Sequence, residues 1–347
     1  MSRSSVSTTR SGRATMNDVA ARAGVSLKTV SRVVNGEPGV LPATAERVAL
    51  AISELGFRRN DSARQLRTGR AAGIGLILED VADPFYSVLT RAVEQVVRDN
   101  DCLLLTGSCD DVPDREQELA MALCERRVDG LLIVPAATDH SYLAHEINAG
   151  VPVVFVDRPP INLAADVVLA DNVGGVRDGI NHLISGGHRR IAYLGDDAAI
   201  FTARERLTGY RGALDAAGIP VDEDLIVMGK PEPAAVREAL DRLLFGPNAA
   251  TALFTGNNRL TTAVLRELSG RVDRPALVGF DDFELADLIE PGLTVVAQDP
   301  AGLGKVAATL LFDRLAGLSD APRRVVLPTV LIPRGSGEAP PLGRRRR

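Results

Sequence analysis

The stretch GVSLKTVSRVVNG, residues 24–36, decides how the first sixty residues fold. Ser26 predicts a helix start, because its hydroxyl can accept a backbone N–H of the first turn, and Gly36 predicts the helix end. On a 3.6-residue period one face is apolar, with Val30, Val33 and Val34. The opposite face carries Leu27, Lys28, Ser31, Arg32 and Asn35. A merely solvated face more often carries Glu/Lys pairs, so two interpretations stay open: a structural helix, or a helix whose polar face contacts base edges.

The flanking sequence favours the second interpretation. Residues 15–18 (TMND) look like a cap and a first turn, and a short helix with an apolar stripe then stops at Gly24. After the quoted stretch, PATAERVALAISELGF (42–57) predicts a third helix that begins at Pro42. Its apolar spacing should cover the other two helices, through Val48, Ala51, Ile52 and Leu55. The pattern therefore predicts an all-α helix-turn-helix headpiece over residues 15–59.

Length and charge bound the class of protein. A chain of 347 residues with 45% hydrophobic residues is long enough for two or three domains. Its net charge of −5 conceals an asymmetry: residues 1–72 carry 12 Lys or Arg against 5 Asp or Glu, and the remainder carries 28 against 40. A basic head on an acidic body suits a protein that meets nucleic acid at one end only.

Several classes of site are disfavoured by the sequence. No apolar run approaches a membrane span and no signal-peptide core opens the chain, so we expect a cytoplasmic protein. Three cysteines (Cys102, Cys109 and Cys124) match no metal spacing and read as reduced thiols, and the four histidines form no zinc pattern. We expect no cofactor, no metal and no membrane partner. Residues 1–14 and 334–347 are expected to be disordered, the second as a basic tail.

From residue 73 onward, short apolar runs alternate with helical periods, which indicates two doubly wound α/β lobes with parallel sheets. The strands predicted for the first lobe are 74–78, 102–106, 130–134 and 151–156, and its helices are 85–98, 115–124 and 142–149. DRPPIN (157–162) marks a crossing, after which the second series is predicted at 167–170, 190–195, 252–255 and 276–280.

Open parallel sheets bind ligands beyond the carboxyl ends of their strands. The residues there are rich in Asp, Asn and Arg, with an aromatic pair at Phe85 and Tyr86, which suits a polyhydroxylated or heterocyclic small molecule. The alternative is that many of them only cap helices, and we expect this for about half.

Enzyme chemistry finds little support. The adjacent Asp281 and Asp282 suit metal binding or acid–base work, but no Gly-x-Ser-x-Gly elbow, phosphate loop or complete dinucleotide fingerprint occurs. No catalytic residue is assigned. A small-molecule-binding or hydrolytic enzyme acting on a sugar or nucleoside remains the alternative.

Between headpiece and body, residues 60–72 predict a hinge segment. Asn60 or Ser62 can start a helix, Ala63 and Leu66 fall on one face, and Gly69 ends it. So short a helix is marginal alone in water, so we expect it to form only when DNA and a second copy hold it.

Seven motifs, in order, make the chain similar to the lactose-repressor/galactose-repressor (LacI/GalR) family over residues 15–333. They are MNDVAARAGVSLKTVSRVVNG, ARQLRTG, DPFYS, VPVVFVDR, DNVGGVRDGINHLISGGHRRIAYLG, RERLTGYRGAL and VGFDD. The resemblance implies a homodimeric repressor of a pseudo-palindromic operator, with the second helix in the major groove and paired hinge helices in the minor groove. It also implies a periplasmic-binding-protein-like body that holds a sugar-like effector between its lobes.

The resemblance also implies roles for individual residues. Leu27, Lys28 and Arg32 would read base edges, and Leu66 would unstack a central base step with Ala63 beside it. Further DNA contacts would come from Thr15, Ser26, Thr29, Ser31, Asn35 and Asn60. The effector would be held by Asp83, Phe85, Tyr86, Asp157, Arg206, Asn257, Asp281 and Gln298.

Three further expectations follow. The lobes should comprise residues 73–158 with 299–322, and residues 159–298 with 323–333. The usual Asn-Asp after the strand at 252–255 is here Asn257-Asn258, so one carboxylate is missing from the cleft rim. Effector and operator binding should influence each other reciprocally, while the sequence leaves open whether the effector is an inducer or a co-repressor.

Overall fold

The protein is described here by a computed structural model that covers residues 14–34, 37–57, 73–245, 248–271 and 273–341. The chain divides into two compact units, a small N-terminal unit and a larger body that begins at Ala72. No helix in the described ranges is long and apolar enough to cross a bilayer.

The N-terminal unit is a three-helix headpiece, as predicted. Its helices are α1 (Met16–Ala23), α2 (Leu27–Val34) and α3 (Pro42–Leu55). A small apolar core joins them, formed by Val19, Ala20, Ala23, Val30, Val48 and Ala51. Leu55, expected to cover the other helices, is instead 36% exposed.

The body contains two six-stranded sheets. Those in the first are β1 (Gly73–Leu78), β2 (Leu103–Ser108), β3 (Gly130–Ile133), β4 (Val153–Val156), β5 (Asp166–Ala170) and β11 (Arg324–Leu327). Those in the second are β6 (Ile191–Gly195), β7 (Ile226–Met228), β8 (Ala252–Thr255), β9 (Ala276–Phe280), β10 (Thr294–Ala297) and β12 (Val330–Ile332). Their spatial orders are β11-β5-β4-β3-β1-β2 and β12-β10-β9-β8-β6-β7, with β12 alone antiparallel to its neighbour among these strands.

Helices cover both faces of each sheet, which explains the uninterrupted apolar runs of the central strands. They are α4 (Pro84–Asp99), α5 (Pro113–Glu125), α6 (Ala144–Asn148), α7 (Asn172–Ser185), α8 (Phe201–Ala216), α9 (Pro233–Leu244), α10 (Asn258–Leu268) and α11 (Pro300–Leu315). The doubly wound, two-lobed architecture predicted from the sequence is confirmed.

The predicted lobe boundaries need two corrections. The strand at 167–170, expected in the second lobe, is β5 of the first sheet, where Phe155 of β4 pairs with Val167. Residues 323–333 do not belong to the second lobe alone either, because Val325 of β11 pairs with Val168 while β12 pairs with β10. Both lobes need apolar strands, so an apolar run alone does not identify its sheet.

A third correction concerns the C-terminal segment. Residues 334–341, expected to be disordered, include a short 3-10 helix at Ser336–Glu338 that packs against β9. Glu338 accepts hydrogen bonds from the Gly335 N–H and the Thr294 hydroxyl and lies 2.6 Å from His182. The seryl oxygen of Ser336 donates to the carbonyl of Leu277. These bonds hold in place a segment whose polar, glycine- and proline-containing composition had suggested a disordered tail.

Candidate ligand cleft and nucleic-acid interface

Helix α1 is closed at both ends by local hydrogen bonds. The Thr15 hydroxyl accepts from the Asp18 N–H at 3.3 Å, and the Asp18 carboxylate accepts from the Thr15 N–H at 2.7 Å. Hydrogen bonds to the Asp18 carboxylate from the Thr15 hydroxyl and from the Thr15 N–H hold the pKa of Asp18 below its usual value. At the other end, Gly24 adopts φ 63°, which lets the chain turn sharply into α2.

Helix α2 has one face in the headpiece core and one in solvent. Val30 is fully buried, whereas Leu27 is 47% exposed and the side chains of Lys28 and Arg32 are exposed. The Ser26 hydroxyl accepts from the Thr29 N–H at 3.1 Å, so Ser26 starts the helix as predicted. The apolar Leu27 therefore shares the open side of the helix with two cations.

Of the other predicted DNA contacts, some lie in the described part of the headpiece and some do not. Thr15 is exposed but engaged in the α1 cap, and Thr29 and Ser31 are half-buried. Asn35, Asn60, Ala63 and Leu66 lie outside the described residues, and so does the predicted hinge segment.

A cleft lies between the two lobes of the body, at the carboxyl ends of strands from both sheets. All eight residues predicted to hold an effector line it: Asp83, Phe85, Tyr86, Asp157, Arg206, Asn257, Asp281 and Gln298. Six of them follow predicted strands, as expected for an open parallel sheet, whereas Arg206 and Gln298 were implied only by the family resemblance.

Arg206 is the central cation of the cleft. Its side chain is 6% exposed, and it donates from Nε to Asn172 Oδ1 at 2.7 Å and from a terminal nitrogen to the Gly256 carbonyl at 2.6 Å. The guanidinium lies 3.9 Å from the centroid of the Phe280 ring. Fixed on three sides, Arg206 is presented in one orientation to anything that enters the cleft.

Asp281 faces Arg206 at 3.9 Å and accepts a 2.6 Å hydrogen bond from the Gln298 amide. Burial raises the pKa of Asp281, and Arg206 and Gln298 partly offset that rise. Its φ of 72° is unusual for a residue with a side chain and directs the carboxylate from the end of β9.

Asp157 has the same backbone geometry at the end of β4, with φ 68° and 4% exposure. Burial raises the pKa of this carboxyl, while Arg158 and Arg206 lower it. Three buried polar atoms of cleft residues lack a hydrogen-bond partner within the described structure: Asp157 Oδ1, Arg158 Nε and Gln298 Oε1. Buried groups of this kind are normally satisfied, so these two acceptors and one donor are available to bond a polar molecule that enters the cleft.

Two polar contacts cross from lobe to lobe. The Asn258 amide on α10 donates to Asp83 Oδ1 at 2.9 Å, and Arg259 donates to Glu79 Oε1 at 2.7 Å. This contact explains why asparagine stands at position 258, where aspartate is usual, because an amide can donate to Asp83 whereas a carboxylate would repel it. Burial raises the pKa of Glu79 to about 7, with Asp111 adding to the rise and two arginines opposing it.

The aromatic part of the cleft comes from the first turn of α4. The rings of Phe85 and Tyr86 meet edge to face with centroids 5.0 Å apart, and the Tyr86 hydroxyl donates to Glu79 at 3.4 Å. An aromatic edge beside carboxylates and an arginine suits a ligand with apolar faces and hydroxylated edges.

The effector set predicted from the sequence leaves out several residues that line the cleft, notably Glu79, Arg158, Asp196 and Arg259. Arg158 and Asp196 lie within two residues of a strand end, so strand-end position already pointed to both, although neither was assigned to the effector. An ion pair with Arg158 was the alternative to a ligand role for Asp157. That pair exists at 3.7 Å, although Arg158 contacts Asp111 and Glu79 more closely.

The capping alternative holds for part of the strand-end set. Asp171 accepts from the Gly174 N–H at 2.8 Å, away from the cleft, and so serves as a cap of α7. Asp83 and Asn257 both cap a helix and line the cleft. Asp282 pairs instead with Arg334 at 2.6 Å.

No cluster of His, Cys, Asp and Glu able to hold a metal ion occurs within the described ranges. Cys102, Cys109 and Cys124 are free thiols. Two of the four histidines are fully buried with polar neighbours, His140 beside Glu116 and His188 between Thr251 and the Ala339 carbonyl.

Comparison with known proteins agrees with both units. Residues 15–60 match the model for bacterial regulatory proteins of the lacI family, and residues 180–337 match a periplasmic binding protein-like domain. The HTH-type transcriptional regulator CelR of Thermobifida fusca is 39% identical, over 94% of this chain and 99% of that protein.

Two solved structures are similar over nearly the whole chain. A complex of the regulator CelR with cellobiose superposes with a TM-score of 0.68 at 35% identity, covering 94% of this chain and 100% of that one. A lac repressor dimer bound to operator and the anti-inducer ONPF gives a TM-score of 0.81 at 25% identity, with the same coverage.

Proposed function

Because this chain belongs to the LacI family of bacterial regulatory proteins, we propose that it is a sequence-specific repressor whose hold on operator DNA is controlled by a neutral sugar. One observation carries the DNA-binding part. Helix α2 buries Val30 in the headpiece and leaves Leu27, Lys28 and Arg32 in solvent, as a helix that enters a major groove must.

The roles of the three exposed side chains follow from base chemistry. The guanidinium of Arg32 can donate two bonds to guanine O6 and N7, Lys28 can donate to the same acceptors, and Leu27 can contact a thymine methyl. The other predicted contacts, including those of residues 60–66, would be made to phosphates or in the minor groove.

The choice of a sugar as effector rests on the cleft. Its unpartnered acceptors and donor, its fixed arginine and its aromatic pair complement a ring with hydroxylated edges. The cellobiose complex of CelR, a protein with 39% identity to this chain in its Thermobifida fusca form, points the same way. No catalytic role is proposed for these residues, so the protein is proposed to bind the sugar without converting it.

The assembly proposed is a homodimer, as in the lac repressor structure on operator. Exposed leucines on both lobes support it: Leu103 (72%) and Leu105 (40%) on the edge strand β2, and Leu285 (59%) and Leu288 (75%) in the second lobe. Apolar groups in such number on a surface mark contact sites. A two-fold protein would read a pseudo-palindromic operator, in the cytoplasm where that DNA lies.

Operator binding tests the proposal directly. Gel shifts with the DNA upstream of the protein's own gene should show specific, strongly salt-dependent binding. Arg32→Ala should weaken specific binding by roughly 1–3 kcal/mol and relax the preference at one base pair. Arg47→Ala, an exposed cation on α3 of the same headpiece, is the control.

Equal losses in the two variants would reduce the effect to general electrostatics and remove α2 as the reading helix. Turnover of a sugar by the protein, without specific DNA binding, would instead support the enzyme alternative. Addition of sugars to the complex should change its affinity, and Arg206→Ala should abolish that change while operator binding persists.

A further inference from the structure

A buried cluster of polar side chains lies behind the part of the cleft that the first lobe contributes. Its members are Glu116 on α5 and the pair His140 and Tyr142, which stand between β3 and α6. Glu116 and His140 are fully buried, and the described residues that line the cavity do not include any of the three. Because buried polar groups are costly unless they are bonded, the partners of this cluster show what it holds in place.

Glu116 holds the segment that leaves β3. Its Oε2 accepts hydrogen bonds from the N–H groups of Ala136 (2.5 Å) and Ala137 (2.9 Å), and its Oε1 accepts one from the Tyr142 hydroxyl at 2.7 Å. The two N–H groups lie beyond the end of β3, so a side chain takes the place of a strand partner. Burial raises the pKa of Glu116, but these bonds and the His140 ring outweigh it, so the acceptor is a carboxylate.

His140 holds the segment that leaves β4. Its Nδ1 accepts from the Ile161 N–H at 3.0 Å, and its own backbone N–H donates to the Ile161 carbonyl at 2.9 Å. An Nδ1 that accepts leaves the ring proton on Nε2, which faces Glu116 Oε1 at 3.4 Å. The ring also packs edge to face on Phe155 of β4, with centroids 5.0 Å apart. His140 therefore connects the Glu116 carboxylate with the segment after β4.

The segment after β4 carries two polar side chains of the cleft. Asp157 and Arg158 line the cavity, and the bonds to His140 fix the chain a few residues further on, at Ile161. At its other end the segment is fixed by the sheet, through the bond from the Asp157 N–H to the Val168 carbonyl. A short segment held at both ends has few conformations open to it, so its side chains keep their places.

The segment after β3 reaches the same arginine. The Pro135 carbonyl accepts from a terminal nitrogen of Arg158 at 3.0 Å. This carbonyl and the N–H of Ala136 belong to one planar peptide group, in which they point in opposite directions. The N–H is bonded to Glu116, so a single rigid plane connects the buried carboxylate with the guanidinium of the cleft.

We propose that Glu116 and His140 are positioning residues for the effector: from behind the cavity they hold the polar side chains that bind it. This inference rests on the proposed function. Through the Pro135–Ala136 peptide, Glu116 sets the position of Arg158. Through its bonds to the segment after β4, His140 sets the conformation of the chain around Asp157. Side chains held in this way meet a ligand in the geometry that binds it.

Hydrogen exchange of the full-length protein, followed by mass spectrometry, tests the connection without any ligand. Glu116→Ala should speed exchange about tenfold or more in residues 135–142 and also in residues 157–163, which lie beyond the groups bonded to Glu116. Faster exchange confined to residues 135–142 would overturn the connection to the cleft.

A conservative variant separates positioning from loss of the fold. In Glu116→Gln the amide oxygen can still accept from Ala136 and Ala137, and the NH2 group can donate to the Tyr142 hydroxyl. Exchange of residues 157–163 should then stay within about twofold of the unaltered protein. Exchange that is as fast in Glu116→Gln as in Glu116→Ala would overturn the role of these bonds.

Calorimetric titration with cellobiose, glucose, ribose and galactose tests the effect on binding. His140→Ala should weaken whichever sugar binds by about tenfold, because the Ile161 N–H loses its acceptor. His140→Asn should recover most of the loss, since its side-chain oxygen can take the place of Nδ1. Operator affinity in gel shifts should stay within about twofold in both variants, as in Glu118→Ala, the exposed control on α5.

The outcomes distinguish the positioning role from the proposed function. Sugar binding that is unchanged in His140→Ala would overturn the positioning role and leave a sugar-controlled repressor intact. Equal losses of sugar and operator binding would show general damage to the fold and would overturn it as well. Failure of every sugar to bind the unaltered protein would overturn the sugar effector, and the exchange experiment would then decide by itself whether Glu116 positions the cleft segment.

Discussion

Arg206→Ala gives the sharpest test of how the cleft is held together. The change removes two hydrogen bonds from a charged donor and the cation facing Asp281, all in a region where both side chains are more than nine-tenths buried. Removing one partner of a buried pair costs about 3–5 kcal/mol, because the other charge stays desolvated. Urea unfolding followed by far-ultraviolet circular dichroism should show that loss in the body.

The loss should depend on pH. Burial already raises the pKa of Asp281, and Arg206 opposes the rise, so the variant should raise it further. An acid whose pKa is raised on folding contributes stability at low pH that disappears as pH increases through the folded value. The variant should therefore lose roughly 1–2 kcal/mol more at about pH 8 than at about pH 5.

Two further variants make the experiment decisive. Arg211→Ala, on the same helix α8, breaks an exposed pair with Glu223 (2.8 Å) and should cost less than about 1 kcal/mol. Adding Asp281→Asn to Arg206→Ala should recover part of the loss and most of its pH dependence. A loss as small as that of Arg211→Ala, or one equal at both pH values, would refute the reasoning.

Three other predictions follow from the described residues. Leu27→Ala should change the free energy of unfolding by no more than about 0.5 kcal/mol, because the side chain is half-exposed. Selection of binding sites from random DNA should nevertheless show a changed base preference at one operator position. An unchanged preference would show that Leu27 reads no base. Between about pH 5 and about pH 8 the protein should lose stability relative to Glu79→Gln, because a folded pKa of about 7 makes the charged carboxylate the disfavoured form; parallel pH profiles would contradict this. For Glu116, burial raises the pKa, but the adjacent His140 ring (3.4 Å) and hydrogen bonds from Tyr142, Ala136 and Ala137 outweigh it and leave the pKa below its usual value. Glu116→Ala should therefore cost about 2–4 kcal/mol near neutral pH and less as pH falls, and Glu118→Ala, exposed on the same helix, should cost little.

The sequence predicted where the strands of the body lie better than it predicted which strands pair in the same sheet. Apolar runs located β5 within one residue, because a strand buried on both faces must be apolar throughout. They could not assign β5 to a sheet, since the strands of both lobes carry the same pattern. The short β7, β11 and β12 are only partly buried and were not predicted, because a strand with mixed exposure leaves a weak pattern. The mostly buried β10 was not predicted either, and its four residues make a short apolar run.

The cleft residues were predicted for a related reason. Strand ends converge whatever the sheet order, so Asp157 and Asp281 could be placed in one cavity without knowing the topology. What the sequence could not supply were contacts across the cleft. The Asn258–Asp83 bond joins residues 175 positions apart, and nothing in the local pattern of either residue specifies the other.

The order of synthesis gives the discontinuous lobes a further consequence. A ribosome delivers β11 and β12 last, yet Val325 completes the first sheet beside β5 and Leu331 completes the second beside β10. Neither lobe can close its sheet on the nascent chain until the final segment has left the exit tunnel. A chain truncated shortly before Arg324 would therefore lack the edge strand of both sheets, so that neither lobe would be intact. The two unpaired sheet edges would be sites of aggregation. The headpiece, contained within one N-terminal unit, would already be made, so an incomplete product would carry the exposed face of α2 without a finished cleft to control it.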